Sequence, residues 1–107
     1  MGVIIGIIWL HWLADFVFQT DSMALNKSKS YYWLTIHCAT YAALFIGFGW
    51  QFALITFALH WLTDAITSRG TAWLWQKNER HWFFTLIGFD QAIHLTTLIL
   101  TYKLLYN

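Results

Sequence analysis

A chain of 107 residues that is 59% hydrophobic, 21% aromatic and only 10% charged is too apolar for an ordinary soluble domain, where about a quarter of residues are charged. The length allows one domain and about four membrane crossings of roughly 20 residues each. A net charge of +1 says little about partners; no nucleic acid is expected, and the lipid bilayer is the partner that composition itself names.

The first apolar run covers about residues 2–18. It lacks the basic leader of a secretory signal, so it is expected to persist as a span. A polar stretch follows, Gln19-Thr20-Asp21-Ser22 and then Asn26-Lys27-Ser28-Lys29-Ser30. The second run, about 31–48, opens on Tyr31-Tyr32-Trp33, an aromatic start suited to a membrane interface. Gly47-Phe48-Gly49-Trp50 makes an uncharged turn. The third run, about 51–67, is expected to end at Ser68-Arg69-Gly70. Thr71 to Arg80 mixes tryptophan with charge and reads as a short segment lying on the membrane surface. The fourth run covers about 82–106. With no proline and no strand-like alternation, the expected fold is all-α, a bundle of four transmembrane helices.

Lys27 and Lys29 follow the first run, and Arg69, Lys77 and Arg80 follow the third. The positive-inside rule puts both loops in the cytoplasm and both termini outside, with Lys103 dissenting. The single cysteine, Cys38, allows no intrachain disulfide and reads as a small buried hydrophobe.

Polar residues inside the apolar runs carry the chemistry. His11-Trp12-Leu13-Ala14-Asp15 returns as His60-Trp61-Leu62-Thr63-Asp64, and in mirror order as Asp90-Gln91-Ala92-Ile93-His94. Residues four apart on a helix share a face. The repetition also suggests two duplicated helical hairpins, with chance matching of so short a motif as the alternative. His37 stands in the remaining run. One buried histidine is ordinarily a satisfied hydrogen bond. Seven ionisable groups, with every lysine and arginine in a loop or near an end, call for a cation from outside.

His11, Asp15, His37, His60, Asp64, Asp90 and His94 are therefore the expected metal ligands, with His and Asp gathered in one layer of the inner leaflet. Imidazole and carboxylate suit zinc first, and also iron or manganese. Seven ligands exceed one tetrahedral ion and suit two divalent ions sharing a bridging carboxylate. Asp15, Asp64 and Asp90 are the expected catalytic carboxylates. Gln19, Tyr41, Thr63, Thr67 and Gln91 fall on or near the same faces and are expected to orient the ligands by hydrogen bonds. Arg69, Lys77 and Arg80, with Lys27 and Lys29, are expected to ring the entrance, the first three gripping a substrate anion. A metal-activated water beside a second ion suits hydrolysis. The expected enzyme is a membrane-embedded metal-dependent hydrolase acting from the cytoplasmic side on a phosphate-containing or lipid-linked substrate.

His11-x-x-x-Asp15 with Phe16 and Gln19, His37, His60-x-x-x-Asp64 and Asp90-Gln91-x-x-His94 together resemble the small bacterial and phage membrane family called domain of unknown function 3307. The resemblance implies a helical membrane protein of a bacterial inner membrane, or of a host membrane for a phage protein. It supplies no reaction. A looser similarity to predicted membrane-bound metal-dependent hydrolases rests on analogy alone. Two other readings compete with hydrolysis: transport or sensing of a metal ion or proton, and a phage-type membrane protein that binds a host partner with metal as a structural staple. A homodimer is compatible with the sequence.

Overall fold

Nothing in this chain stops a helix by covalent constraint, because proline is absent. The computed structural model describes residues 1–106, and these contain five α-helices and no strand. They are α1 (Gly2–Trp12), α2 (Asp21–Asn26), α3 (Tyr31–Ala43), α4 (Trp50–Gln76) and α5 (Arg80–Tyr106). A π-helical turn, Leu13–Val17, extends α1, closed by a bond from the Phe18 amide to the Leu13 carbonyl. A 3₁₀ turn, Ile46–Phe48, precedes α4.

The connections follow local chemistry. Thr20 caps α2, its hydroxyl accepting from the Met23 amide. Gly49 turns the chain into α4 at φ +106°, backbone almost confined to glycine. Asn78 adopts left-handed backbone (φ 60°) just past α4, and the Glu79 amide reaches back to the Leu74 carbonyl.

The structure corrects three expectations from the sequence. Thr71 to Arg80 is not a separate surface segment: α4 continues through it to Gln76, built from Ala72, Leu74 and Gln76, all good helix formers. Nor does Gly70 end the third helix. Its backbone stays out of the left-handed region, and its missing side chain admits Leu86 instead, whose Cδ2 would lie 2.8 Å from an added Cβ. The second run is also shorter than expected, since α3 stops at Ala43.

α4 and α5 pack most extensively, α3 joins α4, and α1 leans on α5. The interior has two parts. Ile7, Ala14, Tyr41, Phe45, Phe52 and Leu98 form an apolar cluster, with Tyr102 and Leu105 packed on it. Beyond Tyr41 the buried side chains turn polar: Asp15, His37, His60, Asp64, Asp90 and His94. Outside, large apolar side chains such as Trp9, Phe16, Leu54, Leu62, Ile66, Phe89 and Leu100 are exposed.

Candidate metal centre

Four helical segments each lower polar side chains into one volume. The π-turn carries Asp15, α3 carries His37, α4 carries His60 and Asp64, and α5 carries Asp90 and His94. The four-residue spacing on α4 and α5 aligns each pair on the face turned toward the other helices. The π-turn brackets Asp15, a local widening that recurs at functional positions in helices.

Asp15 Oδ1, His37 Nε2, His60 Nε2 and Asp64 Oδ2 converge on a single point. His37 Nε2 lies 3.0 Å from Asp15 Oδ1, 3.1 Å from His60 Nε2 and 3.2 Å from Asp64 Oδ2. His60 Nε2 lies 3.6 Å from Asp15 Oδ1 and 3.3 Å from Asp64 Oδ2. A tetrahedral ion with bonds of about 2.0–2.1 Å separates its ligand atoms by roughly 3.3 Å. The five separations, from 3.0 to 3.6 Å, lie near that spacing.

Asp15, Asp90 and His94 form a second, smaller group of possible ligands, sharing Asp15 with the first. His94 Nε2 lies 3.0 Å from Asp64 Oδ1 and 3.1 Å from Asp90 Oδ1. Asp64 therefore turns one oxygen to each group. The His60 and His94 rings stack at 3.9 Å, and Tyr41 stacks on His60, also at 3.9 Å.

His11 stands beside these groups, not within them, and Gln91 explains why. Its amide nitrogen donates to Asp15 Oδ2 and Asp90 Oδ2, both at 3.1 Å, so its oxygen must face His11. His11 Nε2 then donates to Gln91 Oε1 at 2.6 Å, and Nδ1 accepts from the Tyr41 hydroxyl at 2.6 Å. Both ring nitrogens are engaged. His11 thus holds Gln91, and Gln91 holds two carboxylates.

Thr67 Oγ1 is 2.5 Å from Asp90 Oδ1 and 2.9 Å from the Thr63 carbonyl; its one proton favours the nearer, charged acceptor. Thr63 donates to its own helix, at the Leu59 carbonyl, and touches no ligand. Gln19 lines the pocket beside the centre, its Oε1 buried without a partner. That pocket, of about 170 Å³, is also lined by Asp15, Lys27, Asp64, Thr67 and Asp90.

Lys27 overturns one expectation. Every basic residue was expected at a rim or an end, yet the Lys27 ammonium lies 3.2 Å from Asp64 Oδ2, with only 20% of its side chain exposed. α2 makes this possible by delivering Lys27 at its C-terminus to the mouth of the bundle. Burial alone would lower its pKa, but Asp64 and then Asp15 outweigh that and raise it above 10.5, lysine's ordinary value. No spacing in the sequence marks it, because the long lysine stem folds inward from a loop. The three residues expected to grip an anion lie elsewhere. Arg69 sits over the Tyr31 ring at 4.6 Å and donates to the Ala65 carbonyl. Lys77 lies over Trp73, and Arg80 over Trp75 at 3.5 Å. None lines the pocket.

No curated protein and no solved structure matches the chain significantly. A family model does, over residues 3–107, which include every candidate ligand, Lys27 and Gln91. The chain belongs to the protein family of unknown function DUF3307.

Proposed function

We propose that this protein is a membrane-embedded, metal-dependent hydrolase that cleaves a phosphate-containing substrate from the cytoplasmic side of a four-span bundle. The observation that carries the reading is the set of four buried nitrogen and oxygen atoms at tetrahedral spacing, beside a polar pocket. The donor set favours zinc, with iron and manganese also suited. A divalent ion there would supply an activated water and charge for a leaving oxygen. The second group, Asp15, Asp90 and His94, has fewer protein donors and is the place for a second ion, with room for water or substrate.

Charge supports the same reading. Three aspartates carry −3, which Lys27 and one divalent ion balance. A second ion brings the centre to +2, a charge matched to a phosphoryl group. Lys27 replaces Arg69, Lys77 and Arg80 as the residue placed to meet that group.

Three features support the membrane setting. α5 is long and apolar enough to cross a bilayer. Many large apolar side chains are exposed while His11, Asp15, His37, His60, Asp64, Asp90 and His94 are buried. The molecule's longest extent, 44 Å, equals a bilayer with its headgroup regions, about 40–45 Å.

Elemental analysis of the detergent-purified protein tests the proposal. We expect at least one zinc, iron or manganese per chain, and at least roughly tenfold weaker metal binding in His60→Ala, or about 1.4 kcal/mol. Phosphate release should require the bound metal. A folded protein that takes up no transition metal would refute the reading. Metal without turnover would leave it a structural staple, and metal flux in proteoliposomes without turnover would make it a transporter.

A further inference from the structure

A second cavity, of about 420 Å³, opens beside the polar pocket between α2, the following loop, the end of α4 and the start of α5. Leu25, Ala72, Trp75 and Phe83 supply its apolar walls. Lys27, Ser68 and Thr71 line both cavities, so the two adjoin with Lys27 at their shared wall. The charged side chains lining the second cavity are Lys27 and Lys29, both cationic, whereas the first is lined by three aspartates. Leu25 is 68% exposed and Trp75 48%, so the apolar side is open to whatever surrounds the molecule.

We propose that the combined cavity binds a lipid phosphate monoester, a long-chain alcohol bearing a terminal phosphate, with its chain along Leu25, Ala72, Trp75 and Phe83 and its phosphate beside Lys27. The inference rests on the hydrolase reading and names its substrate class. The polar pocket, lined by Asp15, Lys27, Asp64, Thr67 and Asp90, takes the headgroup. Charge selects an anion, since Lys27 lines both cavities, Lys29 lines the second, and the apolar walls add no acid. Chain continuity selects a lipid over free phosphate: a small ester would leave the apolar cavity wet. In the reaction, a water oxygen bonds to phosphorus, the phosphorus–oxygen bond to the lipid alcohol breaks, and a proton from water ends on the leaving oxygen. Lipid alcohol and inorganic phosphate are the products, with no change of oxidation state.

Native mass spectrometry of the zinc-loaded protein, released from detergent micelles, reads the binding directly. One long-chain alkylphosphonate, whose carbon–phosphorus bond the protein cannot hydrolyse, should stay with each chain, while the matching long-chain alcohol, phosphatidylcholine and a short-chain alkylphosphonate are lost. Ala72→Trp should lower retention at least tenfold by filling the cavity. Should that variant not fold, the chain-length series in the unaltered protein decides the question by itself. Equal retention of all four lipids would overturn the proposal, because it means nonspecific annular lipid. Phosphate release followed in parallel separates the two readings. Selective retention without turnover supports the cavity and refutes hydrolysis; turnover of short-chain and long-chain esters alike refutes the cavity and supports hydrolysis.

Discussion

Gln91 is the side chain through which most of the orienting network passes. It joins Asp15 on the π-turn to Asp90 on α5 and takes up the His11 proton. Replacing it with leucine leaves two buried carboxylate oxygens and one imidazole nitrogen short of partners. Each such loss costs about 1–3 kcal/mol when unrelieved. We expect Gln91→Leu to weaken zinc binding roughly 10–100-fold, the range for partners that orient a ligand. Tyr41→Phe removes one hydroxyl bond to His11 and should weaken it far less. A zinc titration against a competing chelator checks the order of these two variants, and equal affinities would remove Gln91 from its role. At Lys27 the sign is clear: its raised pKa means the Asp64 pair is intact below lysine's ordinary value of 10.5 and is lost only as pH rises through the still higher folded value. Activity changes between pH 6 and 9 should therefore be the same in the protein and in Lys27→Arg, a comparison made by paired pH–rate profiles.

At the scale of helices, two glycines do different work. Gly70 lets Leu86 approach α4, but Leu86 Cδ2 is the end of a flexible side chain and can turn aside. Alanine there gains about 1 kcal/mol in helix propensity, against an overpacking cost of roughly 1–3 kcal/mol. Gly70→Ala should thus shift stability little. Gly49 has no such latitude, since its φ of +106° suits glycine almost alone and an added Cβ would lie 2.7 Å from the Tyr106 hydroxyl. Gly49→Ala should cost about 1–3 kcal/mol from backbone strain. Thermal melts in detergent rank them, and a Gly70→Ala loss as large as that of Gly49→Ala would contradict the packing described. The π-turn is the third device, widening the helix where Asp15 must reach two neighbouring helices at once.

Across the whole molecule, stability and metal are coupled. Three buried carboxylates face one tethered ammonium, so the metal-free centre is under-compensated. An ion bound only to the folded state at about 100 times its Kd adds roughly 2.7 kcal/mol, on the order of 10 °C in Tm for a domain of this size. Chelation should lower the Tm by that order, and zinc should restore it; a melt indifferent to chelator would mean that the folded centre holds no ion. The centre's charge also couples its two ions to phosphate. Because a second ion leaves +2, vanadate should tighten its binding, and by reciprocity zinc should tighten vanadate. Calorimetric titrations in both orders measure this.

The sequence alone determined the helical class and marked the buried His and Asp residues that the structure brings together, for two physical reasons. Absence of proline and long apolar runs leave helix as the way to satisfy the backbone, and aspartates within such runs must find partners. The four-residue spacing was enough to pair His60 with Asp64 and Asp90 with His94 on common faces. The same spacing brings His11 Nε2 within 3.9 Å of Asp15, yet its nitrogens bond Tyr41 and Gln91, because sharing a helix face does not decide which neighbour a side chain meets. Helix length was misread at Gly70, where the local stop signal serves packing against Leu86. Lys27 was legible only in three dimensions. Its place beside Asp64 depends on where a six-residue helix ends and where a flexible stem turns, contacts separated by 37 positions that no local periodicity encodes.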